Sequence, residues 1–204
     1  MKKHIIHSKD NNIAQRKVIS PKIYFVNYIK SLTLRFPKSV VNLIFVIQKN
    51  IDMSKAIIKT EKGDMTVEFY TADAPNTVDN FIKLAKSGYY DGLAFHRVIH
   101  DFVIQGGCPN SKEGAAGVPG TGGPGYKIDC ELTGENQYHD RGVLSMAHAG
   151  RNTGGSQFFI CHSRNNTAHL DRNHTCFGKV VENVDVVDDI RQGDRILTIE
   201  VIED

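Results

Sequence analysis

The chain has 204 residues, 40% of them hydrophobic and 24% charged, the composition of an ordinary globular domain carrying a tail. Its net charge of +2 hides a split: residues 1–52 carry ten Lys and Arg against two Asp, while residues 53–204 carry fifteen against twenty-one Asp and Glu, a net of −6. An acidic domain disfavours nucleic acid. No apolar run approaches the ~18 residues of a membrane-spanning helix, so no stable membrane insertion is expected.

The first 52 residues contain neither Gly nor Glu, and all 18 glycines follow them. Turn-rich folds need Gly where φ is positive, so the globular part begins near Met53. Three uses of the segment compete: a targeting or membrane-surface segment, a nucleic-acid-binding tail, or an upstream extension without function. The abrupt change of composition at Met53 favours the third. Residues 1–52 are thus expected to be a basic extension, disordered or foreign to the native protein, and 53–204 the working domain.

Within that domain Ala56 to Thr60 reads as a strand, Glu61 to Asp64 as a turn, and Met65 to Tyr70 as a second, alternating strand, together a hairpin. Pro75 suits the first position of a helix. Val78, Phe81, Ile82 and Ala85 make its apolar stripe, and Gly88 its stop. Short β-like runs follow at Phe95 to Ile99, Phe102 to Gln105, Val143 to Ala147, Gln157 to Cys161 and Phe177 to Val181. A second helix is predicted from Val184 to Arg191, and Ile196 to Ile202 is a last strand. Many short strands between Gly-rich turns indicate a sandwich or barrel, not a parallel βαβ sheet. The four cysteines are scattered without a Cys-x-x-Cys pair, which fits reduced thiols and a cytoplasmic protein. Nine His and four Cys also raise a metal protein, but no zinc-like pairing supports it.

Residues 95–107 read Phe-His-Arg, an apolar pair, His-Asp, then Phe-Val-Ile-Gln-Gly-Gly. This resembles the signature of the cyclophilin-type peptidyl-prolyl cis-trans isomerases. Gly120-Thr121-Gly122-Gly123, Leu144-Ser145-Met146-Ala147, Gly155-Ser156-Gln157-Phe158-Phe159-Ile160 and Leu170-Asp171 with His174 resemble further blocks of the family, in its order. The resemblance implies a mainly β fold: a closed eight-stranded antiparallel barrel capped by two α-helices, with the active site on its outer face.

It also implies residue roles. Arg97, Phe102, Gln105 and His174 take the catalytic positions. Gln105 orients Arg97, and Phe102, Val103, Phe159, Leu170 and His174 form an apolar pocket for the proline ring. Ala147, His148, Ala149 and Gln157 contact the substrate backbone, with Gly120 and His169 completing the site. Phe95 and His96 are expected to be structural. No metal or cofactor is needed, because the reaction forms no covalent intermediate and transfers no proton. Partners would be proline-containing peptides and unfolded or folding proteins, met by a monomer.

Three departures stand out. His169 occupies the place where many eukaryotic members carry a Trp associated with tight cyclosporin binding, and the chain has no Trp at all, so cyclosporin is expected to bind weakly. Val103 stands where Met is frequent, and His148 where Asn is common. The competing function is a non-catalytic proline-peptide-binding module or chaperone on the same fold, which retention of Arg97, Phe102, Gln105 and His174 disfavours.

Overall fold

The computed structural model of the protein describes residues 55–202. The basic segment 1–52 and the start at Met53 lie outside the described residues.

Strands β1 (Lys55–Thr60) and β2 (Gly63–Phe69) form the expected hairpin, Thr60 paired with Gly63 across a two-residue turn. Gly63 takes φ 132°, a backbone closed to most side chains. Helix α1 (Pro75–Lys86) follows, with Pro75 in its first turn and Gly88 at φ 70° just past its end. Then come β3 (Arg97–Ile99), β4 (Val103–Gly106), a 3₁₀ turn at Pro109–Ser111, β5 (Val143–Met146) and β6 (Phe158–Cys161). One-turn helix α2 (Arg164–Thr167) runs into a 3₁₀ turn at Ala168–Leu170; β7 (Cys176–Glu182), one-turn helix α3 (Val186–Asp189) and β8 (Ile196–Ile202) complete the order.

The eight strands make one strongly curled antiparallel sheet in the order β3-β4-β6-β5-β7-β2-β1-β8. No ladder joins β3 to β8. Residues 92–95 instead meet residues 193–196 through four backbone hydrogen bonds of 2.8–3.0 Å, the amides of Gly92, Phe95, Gly193 and Ile196 donating. The barrel expected from the resemblance is met in strand number and pairing, and this short seam joins its two ends.

Alternation sends Ile58, Met65, Val67, Ile104, Leu144, Phe158, Ile160 and Phe177 inward. Helix α1 closes one mouth of the curl. Its Phe81 is fully buried among Phe69, Tyr90, Phe158 and Phe177, with ring centroids 5.0–5.6 Å away.

Two helix predictions need correction. The second helix, predicted from Val184 to Arg191, is a single turn, and Ile190 is already extended at ψ 133°. Three of its first four residues are valine, whose stiff χ1 weakens helix. Burial of Val187 and Ile190, half-burial of Val184 and positive φ at Asn183 place the segment instead. Helix α2 is additional, so α1 is the only helix of more than one turn among the described residues.

Candidate active site

The β3–β4 hairpin places Arg97 opposite Gln105, Gln105 pairs with Phe159 on β6, and Phe159 pairs with Ser145 on β5. Residues opposite one another on a sheet share a face, so these four form one row across four strands on the outer side of the barrel. The row grades from exposed Arg97 through half-buried Gln105 to buried Phe159 and Ser145. On that side Phe159 joins Val103, Val143, Cys161 and Cys176 in a second, smaller apolar cluster, flanked by half-buried Phe102, Ala147 and Leu170. The sheet is therefore apolar on both sides here, and the outer cluster floors a groove of about 540 Å³.

The groove is lined by Arg97, Phe102, Val103, Gln105, Gly120, Ala147, His148, Ala149, Gln157, Phe159, Leu170 and His174. All the residues expected at the site converge there except His169. That side chain is exposed outside the groove, its ring stacked on Phe102 at 5.7 Å and 11°. Phe95 is fully buried in the main core, as a structural residue should be. Tyr126, Lys127 and Thr153 also line the groove. Sequence reasoning missed them: they lie outside the recognisable blocks, and their only signal was nearness to the glycine loop and to Gly155.

The Arg97 guanidinium lies 5.8 Å from the Phe102 ring centroid and its Nη1 points at Gln105 Oε1, 3.5 Å away, the outer limit of a hydrogen bond. Neither partner is anionic, so the charge is left for whatever enters the groove. Gln105 Nε2 donates to Gln157 Oε1 at 3.1 Å, and Gln157 Nε2 donates to the carbonyls of Gly120 and Gly122, both at 2.8 Å. The Ala147 amide donates to Gln157 O at 3.0 Å and the Ala149 amide to Thr153 Oγ1 at 3.1 Å. These donors are engaged within the protein.

His174 lies edge-on to Phe159 at 5.5 Å and stacks on His148 at 4.0 Å. His174 Nδ1 donates to Met146 O at 3.1 Å, leaving Nε2 unprotonated in the neutral ring. His148 takes the other tautomer: Nε2 donates to Asn173 O at 2.9 Å and Nδ1 accepts from the Gly150 amide at 3.2 Å. Burial, then the neighbouring His148, holds His174 below its ordinary value, which favours its neutral form. Under Phe159 the wholly buried His139 stacks at 5.7 Å, with Asp171 at one ring nitrogen and Ser145 Oγ at the other. Among the described residues no three His, Cys, Asp or Glu side chains are arranged to hold a metal, and no helix is long and apolar enough to cross a membrane.

Residues 55–202 match the family model described as cyclophilin type peptidyl-prolyl cis-trans isomerase/CLD. A peptidyl-prolyl cis-trans isomerase of Synechococcus elongatus is 54% identical over 154 residues, covering 74% of this chain and 99% of that protein. Peptidyl-prolyl cis-trans isomerase B of Bacillus subtilis is 51% identical over 134 residues, 66% of this chain and 87% of its own. A crystal structure of a Cryptosporidium parvum cyclophilin type peptidyl-prolyl cis-trans isomerase superposes with a TM-score of 0.65 at 31% identity, covering 74% of this chain and 99% of that one. An outer-face groove walled by an exposed guanidinium and aromatic rings, on a chain so closely matched by these enzymes, has one explanation: the chain belongs to the cyclophilin-type peptidyl-prolyl cis-trans isomerase family and is an enzyme of that activity.

Proposed function

We propose that the groove binds an X-Pro segment of an extended chain with the proline ring on the Phe102–Val103–Phe159–Leu170–His174 floor, and that Arg97 stabilises the twisted amide. The barrier to rotation about a peptide bond is about 18–20 kcal/mol and comes from resonance. X-Pro bonds populate both isomers but exchange slowly. A catalyst must bind the twisted state better than either planar one. Twisting localises a lone pair on the prolyl nitrogen. A permanently charged donor beside that nitrogen gains most at the transition state. Gln105 steers the guanidinium, and His174 closes the pocket as a neutral ring. The Cryptosporidium parvum protein was also crystallised in the presence of the dipeptide Ala-Pro. For this chain the same chemistry points to proline-containing segments of unfolded or folding proteins.

The observation that carries the assignment is the geometry of Arg97: exposed, without an anionic partner among the described residues, at the lip of an apolar pocket. Arg97→Ala should lower kcat/KM by about 2–4 kcal/mol, the scale of one lost electrostatic donor, with an unchanged melting temperature. Near-normal turnover of an X-Pro peptide by the variant would defeat the assignment.

A further inference from the structure

We propose that the loop carrying Gly120 and Gly122 positions Arg97 through Gln157, which makes Gln157 a positioning residue and not a substrate contact; this rests on the role given to Arg97 above. The links form a chain with a single polarity. Backbone carbonyls only accept and a guanidinium only donates. At one end the Gly120 and Gly122 carbonyls lie 2.8 Å from the same Gln157 nitrogen, so that atom is the amide NH₂ and both its protons are engaged. Gln157 Oε1 then faces Gln105, which must offer its own NH₂, at 3.1 Å. Gln105 Oε1 is thereby turned to Arg97 Nη1. Turning over either amide would set N–H against N–H or oxygen against oxygen. The loop and the arginine demand the same orientation of both glutamines, and the Gln157 side chain keeps no N–H for a substrate.

The loop is itself held from behind. Cys108 is fully buried and outside the groove lining, and its Sγ accepts the amides of Gly120 at 3.1 Å and Gly122 at 3.3 Å. Asn110 Nδ2 donates to Val118 O at 3.3 Å and Thr121 Oγ1 at 3.1 Å. A Cβ on Gly122 would lie 2.9 Å from both Asn110 and Pro109, so the loop backbone sits directly against this turn. Each of the two glycines thus has its N–H on Cys108 and its C=O on Gln157. Loop position is transmitted to the guanidinium through two side-chain amides.

The test compares kcat and KM on an X-Pro peptide for Gln157→Leu, Cys108→Ala and Cys108→Ser, each alone and with Arg97→Ala, alongside melting temperatures. Gln157→Leu and Cys108→Ala should each lower kcat about three- to thirtyfold, the range for changes along a coupled network, with KM nearly constant. Cys108→Ser keeps an acceptor and should restore most of the rate. Both losses should vanish when Arg97 is already alanine. A raised KM in Gln157→Leu with normal turnover in Cys108→Ala overturns the relay, because only a direct contact behaves so. A crippled Arg97→Ala enzyme that loses further activity additively also overturns the relay, alone. A normal Arg97→Ala enzyme overturns the parent assignment and the relay with it. Asn110→Ala frees the same loop and takes the place of Cys108→Ala if that variant does not fold.

Discussion

His169 lies outside the groove it was expected to line, yet its ring is flat against Phe102, one wall of that groove. An imidazole there is small and well hydrated; an indole would present a larger apolar face and a fixed N–H. We therefore expect cyclosporin to bind weakly and His169→Trp to strengthen binding by about 1–3 kcal/mol, the value of one interface anchor, or roughly five- to 150-fold. Titrating both proteins with cyclosporin while following peptide turnover checks this, and equal affinity would remove position 169 from the contact. Turnover itself should change little, since the substitution leaves Arg97 and Gln105 untouched. At this scale the residues borne on recognisable blocks were legible, Arg97 and Phe102 above all, because a motif fixes spacing and the ladder converts spacing into proximity. What each side chain is bonded to was not legible. Gln157 lines the groove as expected, but nothing in its motif showed that its side-chain amide is bonded to two glycine carbonyls and Gln105, contacts made across 35 to 52 residues of chain.

Helix α1 shows the same limit in an element. Its start, stripe and stop were readable from Pro75, Val78, Phe81, Ala85 and Gly88, but Ala74 at its N-cap has no side-chain acceptor. The orphan amides are met from far along the chain. Glu131 accepts from the amides of Asn76 and Thr77 at 3.1 and 2.9 Å, and from their side chains at 2.8 Å. A carboxylate at a helix N-terminus also opposes the dipole favourably. Glu131→Ala should cost about 1–2 kcal/mol, the value of a lost cap, and Glu131→Gln less, because one acceptor oxygen remains. Urea unfolding measures this; a loss within the ~0.5 kcal/mol of an ordinary surface change would show that solvent caps the helix as well. The shortened α3 has the converse cause. Its valines repeat at helical spacing, yet burial of Val187 and Ile190 is reached without a helix longer than one turn.

Across the whole molecule, alternation identified strands but not the curl. β5 and β6 are buried at all four positions each, so they show no alternation, because the sheet there covers the main core inside and the groove floor outside. The resemblance supplied the barrel; periodicity alone left sandwich and barrel open. The polar framework behind the floor was equally invisible, and it links the fold to pH. His139 is wholly buried between Asp171 and Ser145. Burial, outweighing the pull of Asp171, lowers it from 6.5 to about 4. Asp171 is itself gripped by Arg164 at 2.8 and 2.6 Å. Burial works against that carboxylate, but Arg164 and His139 hold it below its ordinary 3.8. Between about 6.5 and 4 the unfolded chain binds the His139 proton and the folded chain does not. Stability must therefore fall as pH drops through that window, by roughly 3 kcal/mol for this one group. His96, His162 and His174 are lowered by burial too and add in the same direction. Urea unfolding from pH 7.5 to 4 should show this decline in the wild type. His139→Gln keeps a donor and an acceptor but cannot titrate; it should be less stable at pH 7 and distinctly shallower in its pH slope. An unchanged slope in the variant would mean that His139 is not the group that sets acid sensitivity.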